Sequence, residues 1–209
     1  MVPEIILIDA GTGNLRSVYK ALESQGARVT LTSDPDKALR GSKIVLPGVG
    51  AFADFMRGLQ ANRLDEAVIE ITRAGKPLLG ICVGMQSFFD IGEEMGEHNG
   101  LGLLSGRVIR FPDQSGLKIP HTGWNQLNIT NKVASNGSPL LKGLYEGEYA
   151  YFNHSFYCAA KHPQDVIAST DYGVHFASAV QNENLFGVQF HPEKSQQVGL
   201  QVLANFLQF

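Results

Sequence analysis

The chain has 209 residues, 44% hydrophobic and 18% charged, enough to bury a full core as one domain or at most two small ones. Its 17 basic and 20 acidic residues leave a net charge of −3, and no run of Lys or Arg exceeds two residues, which excludes non-specific binding of nucleic acid through a basic face. Two cysteines, Cys82 and Cys158, are too few for a disulfide framework and point to a reducing compartment.

The N-terminus lacks the basic start and long apolar stretch of a secretory signal, and no apolar run reaches the roughly 18 residues of a membrane span. A soluble, cytoplasmic protein without a membrane partner is expected. In chain order, Ile5 to Asp9 reads as a buried strand ending at Gly11 and Gly13. Leu15, Val18, Tyr19 and Leu22 recur at helical spacing after Asn14, and Gly26 marks the stop. Val29 to Leu31 is a second strand, Asp34-Pro35 opens a short helix, and Lys43 to Leu46 is a third strand running into Pro47-Gly48-Val49-Gly50. Helices follow over Phe52 to Gln60 and Leu64 to Ala74, then a strand over Pro77 to Ile81 and a helix over Val83 to Ile91. This alternation predicts parallel strands with helices on both faces. The second half is richer in strands: Arg107 to Phe111, Gln126 to Thr130, Ala150 to Cys158, Val166 to Thr170, Phe176 to Gln181 and Leu185 to Phe190. Ser195 is placed to cap a final amphipathic helix bearing Val198, Val202, Leu203, Phe206 and Leu207 on one face. With no repeat, low-complexity tract or linker, residues 1–209 are expected to form one α/β domain.

Cys82 stands in Gly80-Ile81-Cys82-Val83-Gly84, between a predicted strand and a predicted helix. Glycines on either side permit a tight turn that lifts a nucleophile out of the sheet, and the helix N-terminus behind it favours a thiolate and leaves the Val83 amide free. The alternative is a buried cysteine packed as a small hydrophobe. His191-Pro192-Glu193 follows the last strand, and the extended geometry before proline puts His191 and Glu193 on one side of the chain. A carboxylate there can hold the imidazole tautomer and stabilise the imidazolium as it takes a thiol proton. Read alone, the same three residues are better taken as a turn before the last helix; paired with the cysteine elbow, the catalytic reading is preferred. Pro47 to Phe52, with glycines around Val49, can aim a backbone amide at a small anion; Val49 or Gly50 together with Val83 would then form an oxyanion hole. All three features fall at the carboxyl ends of strands, where parallel sheets build their sites.

Gly80 to Gln86 and Phe190 to Glu193 together resemble the class I, triad-type glutamine amidotransferases. The resemblance spans the chain through Asp9 to Ser17, Pro47 to Phe52, His121 to Asn125, Tyr151 to Ser155 and His191 to Gln196, and it is closest to the branch serving histidine biosynthesis. It implies a class I amidotransferase-like α/β fold, with a mostly parallel central sheet flanked by helices and additional antiparallel strands in the second half. Cys82 would attack the side-chain amide of glutamine, with His191 as base and then acid and Glu193 orienting it. Gly50, Gln86 and Ser155 would hold the substrate. Ammonia would pass to a (β/α)₈-barrel cyclase in a heterodimer, with Asn14, Trp124, Tyr151 and Lys194 at the interface or channel. A flipped peptide in the Gly48–Gly50 loop is the switch proposed for the family.

Ala10, Val83 and Asn153 depart from common family residues; Val83 would still supply its backbone amide. Trp124 is as compatible with the core as with an interface; for Gln86 the substrate-holding reading is preferred to that of a polar position on the elbow helix. No His, Cys and acidic spacing suggests a metal, and Gly11-Thr12-Gly13 lacks the third glycine of a dinucleotide loop, so no cofactor is expected. Three other readings stand beside this one: the same glutaminase feeding another synthase such as a surface-sugar amidation partner, a stand-alone cysteine or esterase-like hydrolase, and a non-catalytic scaffold.

Overall fold

The computed structural model describes residues 2–113, 116–129 and 137–209. Along the first part run β1 (Glu4–Ile8), α1 (Leu15–Ser24), β2 (Arg28–Thr32), α2 (Pro35–Arg40), β3 (Ile44–Gly48), α3 (Phe52–Ala61), α4 (Leu64–Arg73), β4 (Leu78–Cys82) and α5 (Val83–Gln86). Then come β5 (Phe89–Gly92), β6 (His98–Asn99), β7 (Leu104–Arg110), β8 (His121–Gln126), β9 (Asn128–Ile129), β10 (Tyr149–His154) and β11 (Phe156–Ala160). The chain closes with β12 (Val166–Asp171), β13 (His175–Asn182), β14 (Leu185–Val188) and α6 (Gln196–Gln208).

Among the described residues the main sheet has eight strands in the order β2-β1-β3-β4-β14-β13-β12-β9. The five from β2 to β14 are parallel, and β13, β12 and β9 continue the sheet antiparallel. Every residue of β3, β4 and β14 is buried, which is why these strands read as near-continuous apolar runs rather than alternating ones. The connection from β1 to β2 runs one way along the sheet and those from β2 to β3 and β3 to β4 run the other way. Right-handed crossovers therefore put α1 on one face and α2, α3 and α4 on the opposite face. α6 packs with α1. The remaining strands form a four-stranded sheet, β11-β7-β5-β6, and the pair β10-β8. Among the described residues no helix is long and apolar enough to cross a membrane.

The predicted mostly parallel sheet with antiparallel additions is the one found, but several elements differ. The helix expected over Val83 to Ile91 stops after one turn at Gln86. Beyond it Phe88 and Phe89 are fully buried, the Phe88 carbonyl accepts from the amides of Leu103 and Leu104, and β5 pairs with β6 and β7. A sheet outside the local sequence thus supplies the backbone partners that a longer helix would have supplied. The strand expected over Ala150 to Cys158 is two strands broken at Ser155, because β10 pairs with β8 while β11 pairs with β7 in a different sheet. The strand expected over Gln126 to Thr130 reduces to Asn128–Ile129, with Gln126 belonging to β8; Thr130 lies outside the described residues.

Ser195 does occupy the position before α6, yet its hydroxyl caps no amide of that helix. It donates instead to the His191 carbonyl at 2.7 Å and accepts from the Tyr151 amide at 2.9 Å. The His191 amide donates back to the Tyr151 carbonyl at 2.9 Å, closing a ring that ties β10 to the His-Pro-Glu turn. Gly199 on α6 packs against the same turn, where an added Cβ would lie 1.9 Å from the Pro192 carbonyl oxygen. Gly199→Ala is therefore expected to destabilise by about 1–3 kcal/mol through overpacking, read as a lowered urea midpoint at unchanged slope.

Candidate active site

β4 ends in Cys82, whose φ is +55° and ψ −112°, a conformation sparsely used by residues with a side chain. The flanking glycines are needed for a reason other than the one the sequence suggests. Neither has a positive φ; the turn's unusual conformation falls on Cys82 itself. A Cβ on Gly84 would sit 1.9 Å from the Leu46 carbonyl oxygen, and one on Gly80 would sit 2.6 Å from the Phe88 ring and 2.7 Å from the Met85 amide nitrogen. The glycines let the turn press against β3 and fold back on β4, and that packing holds the strained cysteine.

β3 and β4 pair in parallel with Gly48 opposite Cys82, so Val49 and Gly50 emerge beside the elbow. Gly50 has φ +92° and its missing Cβ would face open space, so the conformation rather than crowding calls for glycine there. On the other side β14 pairs with β4, Val188 opposite Ile81. The chain bends at Gln189 and Phe190 beyond β14, and the side chains of both Gln189 and His191 reach Cys82.

His191 Nδ1 donates to Glu193 Oε1 at 3.0 Å, and both side chains are almost wholly buried, at 5% and 1% exposure. The second nitrogen, Nε2, is left free by Glu193, and Cys82 is the other neighbour that acts on the ring. Burial alone would favour the neutral imidazole, but the hydrogen bonds to Cys82 and Glu193 outweigh it and push the ring's pKa up to about 10. Glu193 Oε2 is buried with no partner among the described residues, so the imidazolium is the charge that compensates this carboxylate.

A cleft of about 260 Å³ opens over the three residues. Cys82, His191, Val49, Gly50, Val83, Gln86, Ser155 and Lys194 all line it, as do Asn153 and His154 of the Tyr151 to Ser155 motif, and Glu94, Pro120 and Phe156, which the sequence did not single out. Glu94 follows β5, the strand hidden inside the over-long predicted helix; its carboxylate accepts from the Phe52 amide at 2.7 Å, at the first residue of α3. Gln86 donates Nε2 to the Phe156 carbonyl at 2.9 Å and to Gln189 Oε1 at 3.0 Å, so its amide nitrogen is committed within the protein. Among the described residues no group of three His, Cys, Asp or Glu side chains converges as a metal site would require.

Of the four expected interface residues, Lys194 lines the cleft, Tyr151 touches His191 through its backbone, and Trp124 and Asn14 are not among the cleft-lining residues. Trp124 on β8 is 45% exposed, so the core alternative for it fails. It faces Tyr151 across the β8–β10 ladder, ring centroids 6.0 Å apart, and Lys194 Nζ lies 5.7 Å from the Tyr151 ring centre. Asn14 precedes α1, which packs against the Pro192–Lys194 turn, and its Oδ1 accepts from Ser17 at 2.9 Å. Of the family departures, Asn153 accepts from the Thr122 hydroxyl at 3.0 Å at the cleft edge, and Ala10 is buried with its carbonyl against Gly58 of α3.

A pair of histidines beside the cleft has the opposite electrostatics to His191. His154 Nδ1 donates to the Phe156 carbonyl at 2.8 Å, so its Nε2 accepts from His121 Nδ1 at 3.1 Å, and His121 Nε2 accepts from Asn125 at 3.3 Å. The polarity of this chain is consistent only with two neutral rings. Phe111, Phe152 and Phe176 pack around them, and burial lowers His121 to about 4 and His154 to about 3.

A family model described as "Glutamine amidotransferase class-I" matches residues 6–208. The chain is 46% identical over 207 residues to the imidazole glycerol phosphate synthase subunit HisH of Syntrophotalea carbinolica, covering 97% of this chain and 98% of that one. It is likewise 46% identical over 203 residues to the protein of that name from Wolinella succinogenes, covering 96% and 97%. Among solved structures, PurLQS from Thermotoga maritima aligns with TM-score 0.74 at 23% identity, covering 100% and 99%. The glutaminase domain of Trypanosoma brucei CTPS aligns with TM-score 0.66 at 17% identity, covering 99% and 94%. At these identities the structural likeness speaks for the fold alone.

The histidines give a signed pH dependence. His121 and His154 have folded values below the unfolded 6.5, so their contribution is complete above pH 6.5 and is lost as pH falls towards 4 and 3. His191 is raised, so its contribution is complete below 6.5 and fades as pH rises towards 10. Stability measured by urea midpoint is expected to peak near neutrality, with an acid limb approaching about 2.7 kcal/mol per pH unit for two protons. His154→Gln should roughly halve that limb; an unchanged slope would contradict the neutral pair.

Proposed function

The chain belongs to the class-I glutamine amidotransferases, and from that footing we propose that it hydrolyses glutamine and delivers the ammonia to a (β/α)₈-barrel cyclase, as the glutaminase subunit of imidazole glycerol phosphate synthase in histidine biosynthesis. Identity near one half over nearly the whole length of HisH relatives supports the pathway and the partner. The observation that carries the chemistry is the Glu193–His191–Cys82 alignment, a buried carboxylate 3.0 Å from a protonated ring that faces the sulfur at the foot of a cleft.

In this reading residues 1–209 act as one catalytic domain. The Cys82 sulfur forms a bond to the side-chain amide carbon of glutamine, and the carbonyl oxygen takes up the negative charge. The amides of Val83 and of Val49 or Gly50 receive that oxyanion; the first amides of a helix have no intrahelical acceptor and are free to do so. His191 passes its proton to the departing nitrogen, the C–N bond breaks and ammonia leaves a thioester. Water then attacks with His191 accepting its proton, the C–S bond breaks, and glutamate and the resting sulfur are released. Gly50, Gln86 and Ser155 hold the glutamine. With the Gln86 nitrogen engaged internally, its Oε1 is the atom that offers an acceptor to the substrate. Glu94 supplies a negative wall suited to an α-ammonium group. The open, positive-φ Gly50 supports a backbone flip as the switch by which the partner governs the oxyanion site.

Trp124, Tyr151, Lys194 and Asn14 form the face that meets the cyclase. An exposed aromatic pair beside a cation is the composition of an interface anchor. A cytoplasmic location agrees with a thiol nucleophile and with a second cysteine, Cys158, that is free and buried.

The experiment is glutamate release from glutamine, with and without the barrel cyclase and its nucleotide ligand, for wild type and Cys82→Ala. Ligand-dependent stimulation is expected, with the substitution lowering kcat by on the order of 10⁴-fold or more. Hydrolysis indifferent to the cyclase would point to another synthase as acceptor.

A further inference from the structure

Gln189 is 0% exposed, and nothing in the reaction described above uses it. It follows β14, and its amide donates to the Ser178 carbonyl at 2.9 Å, extending the ladder with β13 by one residue. It stands two residues before His191, where the chain bends after β14. Its Nε2 lies 3.6 Å from the Cys82 sulfur, within hydrogen-bond reach for sulfur.

The direction of that contact is dictated from outside the pair. The Phe156 carbonyl can only accept, so Gln86 must present Nε2 to it. The same Nε2 donates to Gln189 Oε1 at 3.0 Å, which leaves Gln189 Nε2 facing the sulfur. A backbone carbonyl on β11 thus sets the orientation of two amides in series and aims one N–H at the nucleophile. A buried amide with both ends engaged is a rigid donor rather than an adaptable one.

We propose that Gln189 is a catalytic residue of this site, a neutral second donor to the Cys82 sulfur beside His191, and that Gln86 is the positioning residue that aims it. The inference rests on the glutaminase reading in taking Cys82 as the nucleophile. A thiol sulfur is a weak acceptor and a thiolate a stronger one, so a fixed N–H favours the charged form. α5 is a single turn and offers little dipole to do this. The donor adds no charge to compete with the His191–Glu193 pair. It acts again when the thioester is hydrolysed, where the sulfur departs as thiolate and a stabilised leaving group leaves faster.

The other titratable groups around the sulfur are His191 with Glu193 behind it, His154 from β10, Glu94 from beyond β5, Lys194, and Cys158 from β11. All are retained in variants at 189 and 86, so a change in the sulfur's titration reports the amides.

The test is the rate of iodoacetamide alkylation of Cys82 in the full chain from about pH 5 to 10, with the label located by mass spectrometry. Glutamine hydrolysis by the same variants in complex with the cyclase is measured in parallel. Gln189→Leu is expected to raise the alkylation midpoint by about one pH unit and to lower kcat about tenfold at neutral pH with KM little changed. Activity should recover above the new midpoint, which a merely structural role would not produce. Gln86→Leu, which frees the Gln189 amide, is expected to shift the midpoint in the same direction by less. Gln189→Glu keeps the shape and sets a carboxylate beside the sulfur, so it should raise the midpoint further than Leu. An unchanged midpoint in Gln189→Leu overturns the proposal; if that variant does not fold, a midpoint in Gln189→Glu at or below wild type overturns it. Wild type inert to glutamine, together with a raised midpoint in the variants, would defeat the glutaminase reading and leave the Gln189 contact standing.

Discussion

The parallel ladder between β4 and β14 is the constraint on which the rest depends. β4 delivers Cys82 at its carboxyl end, and β14, arriving about a hundred residues later, delivers Gln189 and His191 at the same level. Because register in a sheet has period two, a slip by one residue would turn both side chains to the other face. The ladder is locked on both sides, by β3 next to β4 and β13 next to β14, and its residues are wholly buried. Cys82, His191 and Gln189 are thus held by a central ladder rather than by surface loops.

That rigidity is what allows the site to carry strain and unpaired charge. Cys82 stays at positive φ because Gly84 abuts the Leu46 carbonyl and Gly80 abuts Phe88, leaving the turn no room to relax. Glu193 keeps a buried carboxylate because a protonated ring stands against one of its oxygens. The ring through Ser195, Tyr151 and His191 fixes the backbone of the His-Pro-Glu turn from the β10 side, and Gly199 lets α6 close on it from the other. The same ring joins the His-Pro-Glu turn to the strand that presents Tyr151, the residue proposed to face the cyclase.

Three buried histidines near one cleft show how neighbours rather than burial decide charge. His121, His154 and His191 are all at most 6% exposed. His191 has a carboxylate on Nδ1 and Cys82 as a second neighbour and is held protonated. His154 has a carbonyl and another imidazole, and His121 an imidazole and an asparagine amide, so neither finds a negative partner and desolvation prevails. The neutral pair shares the Phe156 carbonyl with Gln86, so it also borders the amide chain leading to Cys82.

Local patterning was sufficient for the βα alternation of the first half, since buried parallel strands and amphipathic helices write their periods directly into Ile44 to Leu46, Leu78 to Ile81 and the stripe of α6. The glycine-flanked cysteine, the Pro47 to Phe52 loop and His191-Pro192-Glu193 were legible for the same reason: each needs a particular residue type at a particular place in the local chain. Tertiary structure alone decided where Val83 to Ile91 stops being helix and that Ala150 to Cys158 breaks at Ser155. In both cases the deciding hydrogen-bond partners come from strands distant in sequence. It alone also revealed that Gly80 and Gly84 answer to packing rather than to φ, that Ser195 ties the His191 turn instead of capping α6, and that Gln189 faces the sulfur. A side chain's local role can be read from its neighbours along the chain, but its partner across the fold is set by which strands become adjacent, and that is a property of the folded sheet.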